Sequence, residues 1–221
     1  GAQGLAKDLI SESIRAFETL GDKERIAEAQ SDLALCYWRE GAQDEARVWF
    51  REALSGTVDP ANKLRILARS TTAEFSSNRF SEALALLDQA APLLDHVDDD
   101  VATGCYHMQR AVVLRRLGGV ENLDLALIES TAASIHFEKA NHRRYFGRGE
   151  NNTGIILRHL GRYDEALDHL ERARRTFIEL GDVGTAAQVN DTRARVFIDQ
   201  ERYVEAEKVA FLSASALEAG D

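Results

Sequence analysis

The sequence predicts an all-helical protein built from repeated pairs of helices, and three observations support this fold class. Small residues recur at intervals of 37 to 43 residues, at Ala6, Ala46, Ala83, Ala126, Ala166 and Ala206. Apolar residues follow one such anchor at steps of 4, 3, 4 and 3, in the row Ala166, Leu170, Ala173, Phe177 and Leu180. That spacing places the row on one face of a helix. The chain has only 2 prolines and lacks the runs of β-branched residues that strands prefer.

Eleven helices are predicted, and local signals set their ends. Glycines mark helix stops at Gly21, Gly41, Gly161 and Gly181, while Asp59 and Pro60 form an N-cap followed by proline in the first turn. The predicted spans are about 3–20, 23–40, 43–55, 60–77, 81–94, 99–117, 123–140, 144–160, 163–180, 183–200 and 203–218. The first helix should present an apolar flank, because no earlier helix precedes it in the sequence.

Three local features modify this pattern. Pro92 falls late in the fifth helix, where it removes a hydrogen bond and should kink or end the helix. Gly118, Gly119 and Val120 lengthen the next repeat's turn by three residues, which we interpret as a tolerated insertion in preference to a functional hinge. The acidic cluster at 98–100 suits a helix N-terminus; the alternative, a metal site, lacks the ligand spacing of a calcium loop.

The stretch at 150–182 resembles a tetratricopeptide repeat, with Gly154 in a first helix, Gly161 before the turn, then Tyr163 and Ala166. The period near 40 residues, and the Leu-Gly-Asp endings at 20–22 and 180–182, are similar to the long-helix subclass. That subclass includes kinesin light chains, Leu-Gly-Asn-type adaptors and bacterial regulators; armadillo and HEAT repeats are the rivals. The resemblance implies a right-handed superhelical solenoid that acts as a binding scaffold.

One solenoid domain is predicted for residues 1–221. Residues 1–21 would be the second helix of a truncated repeat, followed by five helical hairpins at 22–59, 60–97, 98–141, 142–181 and 182–221. Met108 is the single methionine, so we expect the chain to be part of a longer protein.

Composition and motifs argue against several functions. The net charge of −10 disfavours direct binding of nucleic acid or anionic membrane, and no apolar run approaches the ~20 residues of a membrane span. Cys36 and Cys105 are far apart, which indicates buried reduced thiols. No histidine pair has metal-ligand spacing, and no nucleophile motif is present. We therefore predict a cytoplasmic, non-enzymatic protein without metal or cofactor.

Charge alternates between first and second helices. Basic residues exceed acidic ones by 3 in each of the stretches 61–79, 101–117 and 141–160, whereas residues 80–100 carry 6 acids and no base. The resemblance implies that first helices line the concave surface, which would make a basic groove inside an acidic shell. The alternative is that inner arginines and outer acids neutralise one another in surface ion pairs of little energetic value.

Candidate groove residues follow from the same register. Arg148, Asn151, Ile155 and Arg158 are spaced 3, 4 and 3 residues apart and share a helix face, and Asn152 matches the groove asparagine of the family. Arginine can grip a carboxylate and asparagine a peptide amide. The full predicted set is Arg65, Arg69, Thr72, Gln109, Arg115, Arg116, Arg148, Asn151, Asn152, Ile155, Arg158 and Arg195.

The functional prediction is a scaffold that binds a protein or an acidic peptide segment, serving as the sensory or docking arm of a signalling or transcriptional regulator. The alternative is an oligomerisation or spacer arm without a peptide ligand. A spacer would associate weakly through exposed repeat ends, with Ile10, Phe17 and Leu20 as the contact residues.

Overall fold

The computed structural model describes residues 2–218, with side chains from residue 4 to residue 215. The described residues form eleven α-helices, as predicted, with one additional 3₁₀ helix and no strand. The α-helices are Ala2–Leu20 (α1), Lys23–Arg39 (α2), Gln43–Gly56 (α3), Pro60–Ser76 (α4), Phe80–Ala90 (α5), Asp100–Leu117 (α6), Val120–Lys139 (α7), Arg143–His159 (α8), Tyr163–Glu179 (α9), Val183–Asp199 (α10) and Tyr203–Glu218 (α11). None of the described helices combines the length and apolar character needed to cross a membrane.

The helices form two compact units, Gly1–Asp98 and Asp99–Asp221. In the first unit, α2 packs against α1 and α3, and α4 against α5. In the second unit, helices that follow one another in the sequence also pack side by side, and α8 additionally contacts α6 and α10. Each unit therefore consists of helices that bury their apolar rows on their neighbours.

The core of the second unit contains the predicted apolar row of α9. Ala166, Leu170, Ala173 and Phe177 are all at most 1% exposed and pack with Leu157 of α8. The last predicted member, Leu180, lies at the helix end and is 36% exposed. The row is therefore confirmed over four of its five positions, and the fifth was wrong because α9 ends at Glu179.

Gly154 allows α8 to lie close against α9. A Cβ atom placed on Gly154 would be 2.6 Å from Leu170 Cγ and 3.2 Å from the Ala166 carbonyl oxygen. Atoms of that kind do not approach so closely, so the packing requires the missing side chain. A second close approach was not predicted: a Cβ on Gly104 of α6 would lie 2.6 Å from the ring of Phe137.

The turns between paired helices use a left-handed residue. Gly161 has φ of 74°, and its amide and that of Arg162 bond back to carbonyls of the last turn of α8. Asn78 and Glu201, which stand where other repeats have glycine, adopt φ of 58° and 59°. The same turn is thus kept at these positions without glycine.

Two helix boundaries test the predicted irregularities at Pro92 and at the insertion 118–120. The helix α5 ends at Ala90, and the 3₁₀ helix Ala91–His96 that follows contains Pro92, which confirms the predicted break. The predicted start of α7 at residue 123 was wrong, because the helix begins at Val120. Gly118 and Gly119 make the turn, and the side chain of Asn122 donates to the Gly118 carbonyl at 2.7 Å. The extra residues therefore lengthen α7, not the turn.

The apolar flank of α1 differs in detail from the prediction. Ile10 and Phe17, predicted to be exposed contacts, pack against Ile14 and neighbouring residues of α2. Leu20 is exposed, and so are Leu5 and Leu9 of the same helix, at 62% and 55%. Self-association through this flank stays a prediction. The exposed Leu5, Leu9 and Leu20, and not Ile10 and Phe17, are the residues through which we expect it to occur.

Candidate functional site

The predicted groove arginines of the first unit are already paired with acids. Arg69 of α4 donates to Asp32 of α2 at 2.7 Å, and Arg65 lies 3.1 Å from Glu28 of the same helix. Thr72 is exposed, and its hydroxyl donates to the Ala68 carbonyl one turn earlier at 3.0 Å. The positive charge of α4 is therefore largely cancelled by acids of the neighbouring first helix, which leaves little field for an acidic ligand.

Two further predicted arginines, in the second unit, are also neutralised. Arg158 of α8 places Nε 2.6 Å and a terminal nitrogen 3.2 Å from the two carboxylate oxygens of Asp199 on α10. Arg195 is exposed and bonds to Asp191, one turn earlier on α10, at 2.9 Å. These arginines are therefore neutralised, but by acids of the first helix α10 and not by the second-helix acids that the alternative predicted.

Asn152 does not lie on an accessible surface, and its prediction as a groove residue was wrong. The residue is 6% exposed, and its side-chain amide donates to Ser130 Oγ of α7 at 3.3 Å. Ser130 also bonds with Thr153 at 2.8 Å. The amide of Asn152 therefore belongs to the packing between α7 and α8 and is unavailable to a peptide.

The remaining candidates lie where α8 packs beside α6. We name this surface the α6–α8 face and define it by Gln109, Val112, Arg115 and Arg116 on α6 and Arg148, Asn151, Ile155 and His159 on α8. On α8 these residues are exposed or half-buried, whereas Glu150, Gly154 and Leu157, on other sides of the helix, are buried. The face therefore points away from the packed second helices.

Arg115 has an unusual environment on this face. Its Nε is buried and has no hydrogen-bond acceptor in the part of the chain that the structure describes. Burial lowers the pKa of its guanidinium from the ordinary value, and the neighbouring charge of Arg116 lowers it further. A partly desolvated cation without a counter-ion is unfavourable, so the site would be stabilised by an incoming anion.

A second cation marks the other end of the face. Arg148 is exposed and has no acid partner among the described residues; its guanidinium carbon lies 5.8 Å from the centroid of the Tyr145 ring. Arg148 also acts on Cys105 of α6: burial and Asp99 raise the pKa of that thiol, and Arg148 opposes them. The charge of Arg148 therefore acts on the thiol of Cys105 across the packing of α8 beside α6.

Asn151 and Ile155 lie between the two cations. The Asn151 side-chain oxygen is buried and accepts no hydrogen bond from the described residues, so it lacks the donor that a buried amide oxygen normally has. Ile155, one turn further along α8, is half-buried and offers an apolar contact. Together they suit a peptide backbone followed by an apolar side chain.

His159 belongs to the same site, although the predicted set omitted it. Burial lowers the pKa of its imidazole, and the positive charges of Arg115 and Arg158 lower it further, with Asp199 opposing. The residue therefore marks the point where the cations of α6 and α8 converge. In the sequence, its inclusion in the site is indicated only by its position, one residue after Arg158 in the last turn of α8.

The spacing of the cations sets the length of a ligand. Cys105 and Arg115 are separated by 10 residues of α6, which corresponds to ~15 Å along the helix axis at ~1.5 Å per residue. An extended peptide covers that distance in roughly 4 to 5 residues.

No group of three metal-ligating side chains occurs in the described part of the chain.

Comparisons with known proteins place this architecture in a family. Two family models, both described as tetratricopeptide repeat, match the chain at residues 6–62 and at residues 146–210, which together exceed half its length. A search of curated proteins finds no match.

Solved structures of low sequence identity share the fold. BtubC (BKLC) from P. vanneervenii is similar over 99% of this chain and 92% of its own, with TM-score 0.87 and 18% identity. Aspartyl phosphate phosphatase F from Bacillus subtilis matches 91% of this chain and 54% of its own, with TM-score 0.76 and 14% identity.

A signal-transduction ATPase with a tetratricopeptide repeat sensor, from Pyrococcus horikoshii, matches 98% of this chain and 35% of its own, with TM-score 0.73 and 15% identity. Repeats of this type form protein-interaction scaffolds and are generally non-catalytic. The family matches and the succession of helical hairpins lead to one conclusion: the chain belongs to the tetratricopeptide repeat family.

Proposed function

We propose that the α6–α8 face binds an extended acidic segment of a partner protein. The observation that carries this proposal is Arg115, whose buried Nε has no acceptor among the described residues. A carboxylate can accept from a guanidinium through two parallel hydrogen bonds. Such a ligand would supply both the missing acceptor and the missing counter-charge.

The ligand's sequence pattern follows from the face. Arg148 and Arg115 would each take a carboxylate, and the estimated ~15 Å between their levels requires acids about 4 to 5 residues apart in an extended peptide. The orphaned Asn151 oxygen would accept a backbone N–H between them, and Ile155 would contact an apolar side chain. The expected motif is therefore an acid, an apolar residue near the middle, and a second acid.

The overall charge of −10 does not oppose this binding at close range. Screening confines interactions between exposed charges to ~8 to 10 Å near physiological salt. A carboxylate on the α6–α8 face would therefore interact mainly with Arg115 and Arg148. Long-range repulsion would slow association more than it would weaken the bound complex.

The biological role that we propose is the sensory or docking arm of a larger cytoplasmic regulator. The similar protein from Pyrococcus horikoshii supports this role, because its tetratricopeptide repeat is named as a sensor. In such an arm, occupancy of the α6–α8 face by the partner segment would be the recognised signal.

Binding of designed peptides tests the proposal. A peptide of the expected motif should bind the chain, and its analogue with both acids changed to amides should bind more weakly, as measured by isothermal titration calorimetry. Arg115→Gln and Arg148→Gln should each lower the affinity at least about tenfold, because each removes a charge-assisted hydrogen bond. Asn151→Ala should lower the affinity without changing its salt dependence.

Arg195→Gln is the matched control, because Arg195 is exposed and already paired with Asp191. It should leave the affinity within about twofold of the unmodified chain, as expected for an exposed ion pair. Equal binding of acidic, neutral and basic peptides would contradict the proposal and favour the spacer alternative. Equal losses in Arg195→Gln and Arg115→Gln would show a diffuse charge effect without a site.

A further inference from the structure

An apolar stripe lies exposed on the outer side of α7. Leu125, Ile128 and Ile135 are 49%, 65% and 60% exposed. At 3.6 residues per turn these three residues share one side of the helix. The opposite side carries the buried row that includes Ala126 and Phe137 and packs towards α6 and α8. We name Leu125, Ile128 and Ile135 the α7 stripe.

Other second helices have charged residues at most of these positions. Counted from the recurring alanines, Leu125 stands where four other second helices carry glutamate, namely Glu45 of α3, Glu82 of α5, Glu165 of α9 and Glu205 of α11. Ile128 corresponds to Asp168 of α9. Ile135 corresponds to Arg175 of the same helix. The α7 stripe is therefore not needed to pack a hairpin of this fold.

The length and spacing of the α7 stripe suit a helical ligand. Leu125 and Ile135 are separated by 10 residues, which corresponds to ~15 Å along the helix axis at ~1.5 Å per residue. Single exposed apolar residues are common on protein surfaces, but a continuous row with a polar rim is typical of an interaction site. An amphipathic helix presents its own apolar residues at steps of 3 and 4, so its row can lie along the stripe.

The rim of the α7 stripe is acidic. Glu121 precedes the stripe in the first turn of α7, and Asp124 and Glu138 lie along one edge; all three are exposed. None of these carboxylates forms an ion pair with the residues that the structure describes. Asp124 acts at longer range, since the pKa of Arg162 on α9 is raised first by its hydrogen bond to Glu165 and then, more weakly, by Asp124. The rim therefore offers three carboxylates to the positive charges of a partner.

We propose that the α7 stripe docks an amphipathic helix of a partner protein, with lysine or arginine beside its apolar row. The apolar row would cover Leu125, Ile128 and Ile135, and the basic residues would lie next to the acidic rim. The net charge of −10 favours a basic partner at long range as well. This inference goes beyond the acidic segment proposed for the α6–α8 face, because it concerns other residues and a ligand of opposite charge.

A second copy of the chain fits the α7 stripe less well than a basic partner does. Two α7 helices packed against each other along their stripes would bring two acidic rims together. The only lysine or arginine of α7 is Lys139, which already contacts Asp100 at 2.9 Å. Like charges at an interface oppose association. The acidic rim therefore selects a helix with basic flanks.

Binding of a designed helix tests the inference. The probe is a fluorescent helical peptide with leucines at steps of 3 and 4 and lysines on both flanks. One analogue has glutamates in place of the lysines, and another has its leucines out of register. Fluorescence anisotropy should show that the lysine peptide binds at least about tenfold more tightly than either analogue, because only this peptide matches both the stripe and its rim.

Substitutions assign the binding to the α7 stripe. Ile128→Gln should lower the affinity for the lysine peptide at least about tenfold, because it removes the most exposed apolar contact of the stripe. Val48→Gln is the matched control, because Val48 holds the corresponding position of α3 and is 47% exposed; it should leave the affinity within about twofold of the unmodified chain. Asp124→Asn combined with Glu138→Gln should lower the affinity and reduce its dependence on salt. Circular dichroism should show that each variant is folded.

Other results would overturn the inference. Equal binding of the lysine and glutamate peptides would overturn the basic character of the partner, and equal losses in Ile128→Gln and Val48→Gln would overturn the assignment to the stripe. If light scattering shows that the unmodified chain dimerises and that Ile128→Gln does not, the stripe is an interface between copies and the partner helix is overturned. The proposed function is tested separately, since Ile128→Gln should bind the acidic peptide of the α6–α8 face like the unmodified chain.

Discussion

Replacing Gly154 by leucine is expected to destabilise the chain by about 3 kcal/mol or more, at the upper end of overpacking effects. Even the first added atom, Cβ, would lie 2.6 Å from Leu170 Cγ and 2.8 Å from its Cδ2. Leu170 is fully buried and packs with Ala166 and Phe177, so it has no space into which to move. Urea unfolding followed by circular dichroism measures the change.

Replacing Gly154 by alanine gives a sharper test. Helix propensity alone predicts that alanine stabilises the chain, whereas the close packing at this position predicts that it destabilises the chain. Alanine is favoured over glycine in a helix interior by roughly 1 kcal/mol, so a site with free space should be stabilised. Gly184 near the start of α10 is such a site, since a Cβ there meets no atom within 4 Å. We expect Gly184→Ala to be neutral or stabilising and Gly154→Ala to be destabilising. Stabilisation by both would contradict the close packing of α8 on α9.

Replacing Glu24 by alanine is expected to cost about 1 to 3 kcal/mol, because it removes the acceptor of the buried Thr57 hydroxyl and one of the two acceptors of the buried Asn62 amide, which still donates to the backbone carbonyl of residue 24 at 3.2 Å. The Glu24 carboxylate accepts from the Thr57 hydroxyl and, at 2.9 Å, from the Asn62 amide. It also accepts from the backbone N–H of Val58 at 2.9 Å. Thr57 and Asn62 are 2% and 5% exposed, so water cannot readily replace the lost acceptor.

The same carboxylate makes stability depend on pH. Hydrogen bonds from Asn62, then from Thr57, lower the pKa of Glu24 to about 2, from 4.5 in the absence of such contacts. A lowered folded-state pKa contributes stability that is complete above about pH 4.5 and is lost as the pH falls towards 2. We therefore expect the stability difference between the unmodified chain and Glu24→Gln to shrink over that interval.

Glu12 provides the matched control for the Glu24 experiments. It lies exposed on α1, and Glu12→Ala should change the unfolding free energy by less than about 0.5 kcal/mol, as for ordinary surface positions. Chemical denaturation at several pH values compares the variants. A Glu24→Gln variant whose stability differs from the unmodified chain by a constant amount between pH 5 and pH 2 would contradict the role assigned to the carboxylate.

The helical repeat could be predicted because its signals are local or periodic. The glycine stops, the Asp59 cap and the row on α9 depend on spacings of a few residues, and the anchors recur once per repeat. The start of α7 was mispredicted because Gly118 and Gly119 were interpreted as part of a longer loop. In the structure they suffice for the turn, and Asn122 secures the first turn of the helix.

The candidate site was harder to predict, because it depends on contacts between residues one repeat apart. Asn151 and Asn152 are neighbours of identical chemistry, and it is the hydrogen bond from Asn152 to Ser130 of α7 that shows Asn152 to belong to the packing between α7 and α8. The pairing of arginines likewise depends on distant acids. Arg69 pairs with Asp32, and Arg158 with Asp199, over separations of 37 and 41 residues.

Part of this pairing was encoded in the sequence. An acid located one repeat before or after an arginine is a candidate partner, as the two examples show. Arg148 has no acid between 36 and 41 residues away on either side, consistent with its lack of an acid partner among the described residues. The burial of Arg115 Nε has no such signature, since it depends on how the side chain packs at the end of α6.

The central claim, that the α6–α8 face is the ligand site and Arg115 its principal contact, can be tested by nuclear magnetic resonance of arginine Nε–Hε groups during titration with the designed acidic peptide. Assignments come from the Arg115→Gln, Arg148→Gln and Arg195→Gln variants. We predict that the Arg115 Nε–Hε signal shifts and exchanges more slowly with solvent on binding, because the buried donor gains its acceptor. The Arg148 signal should shift less, and that of Arg195 should stay unchanged. Saturable binding with an unchanged Arg115 signal would contradict the account.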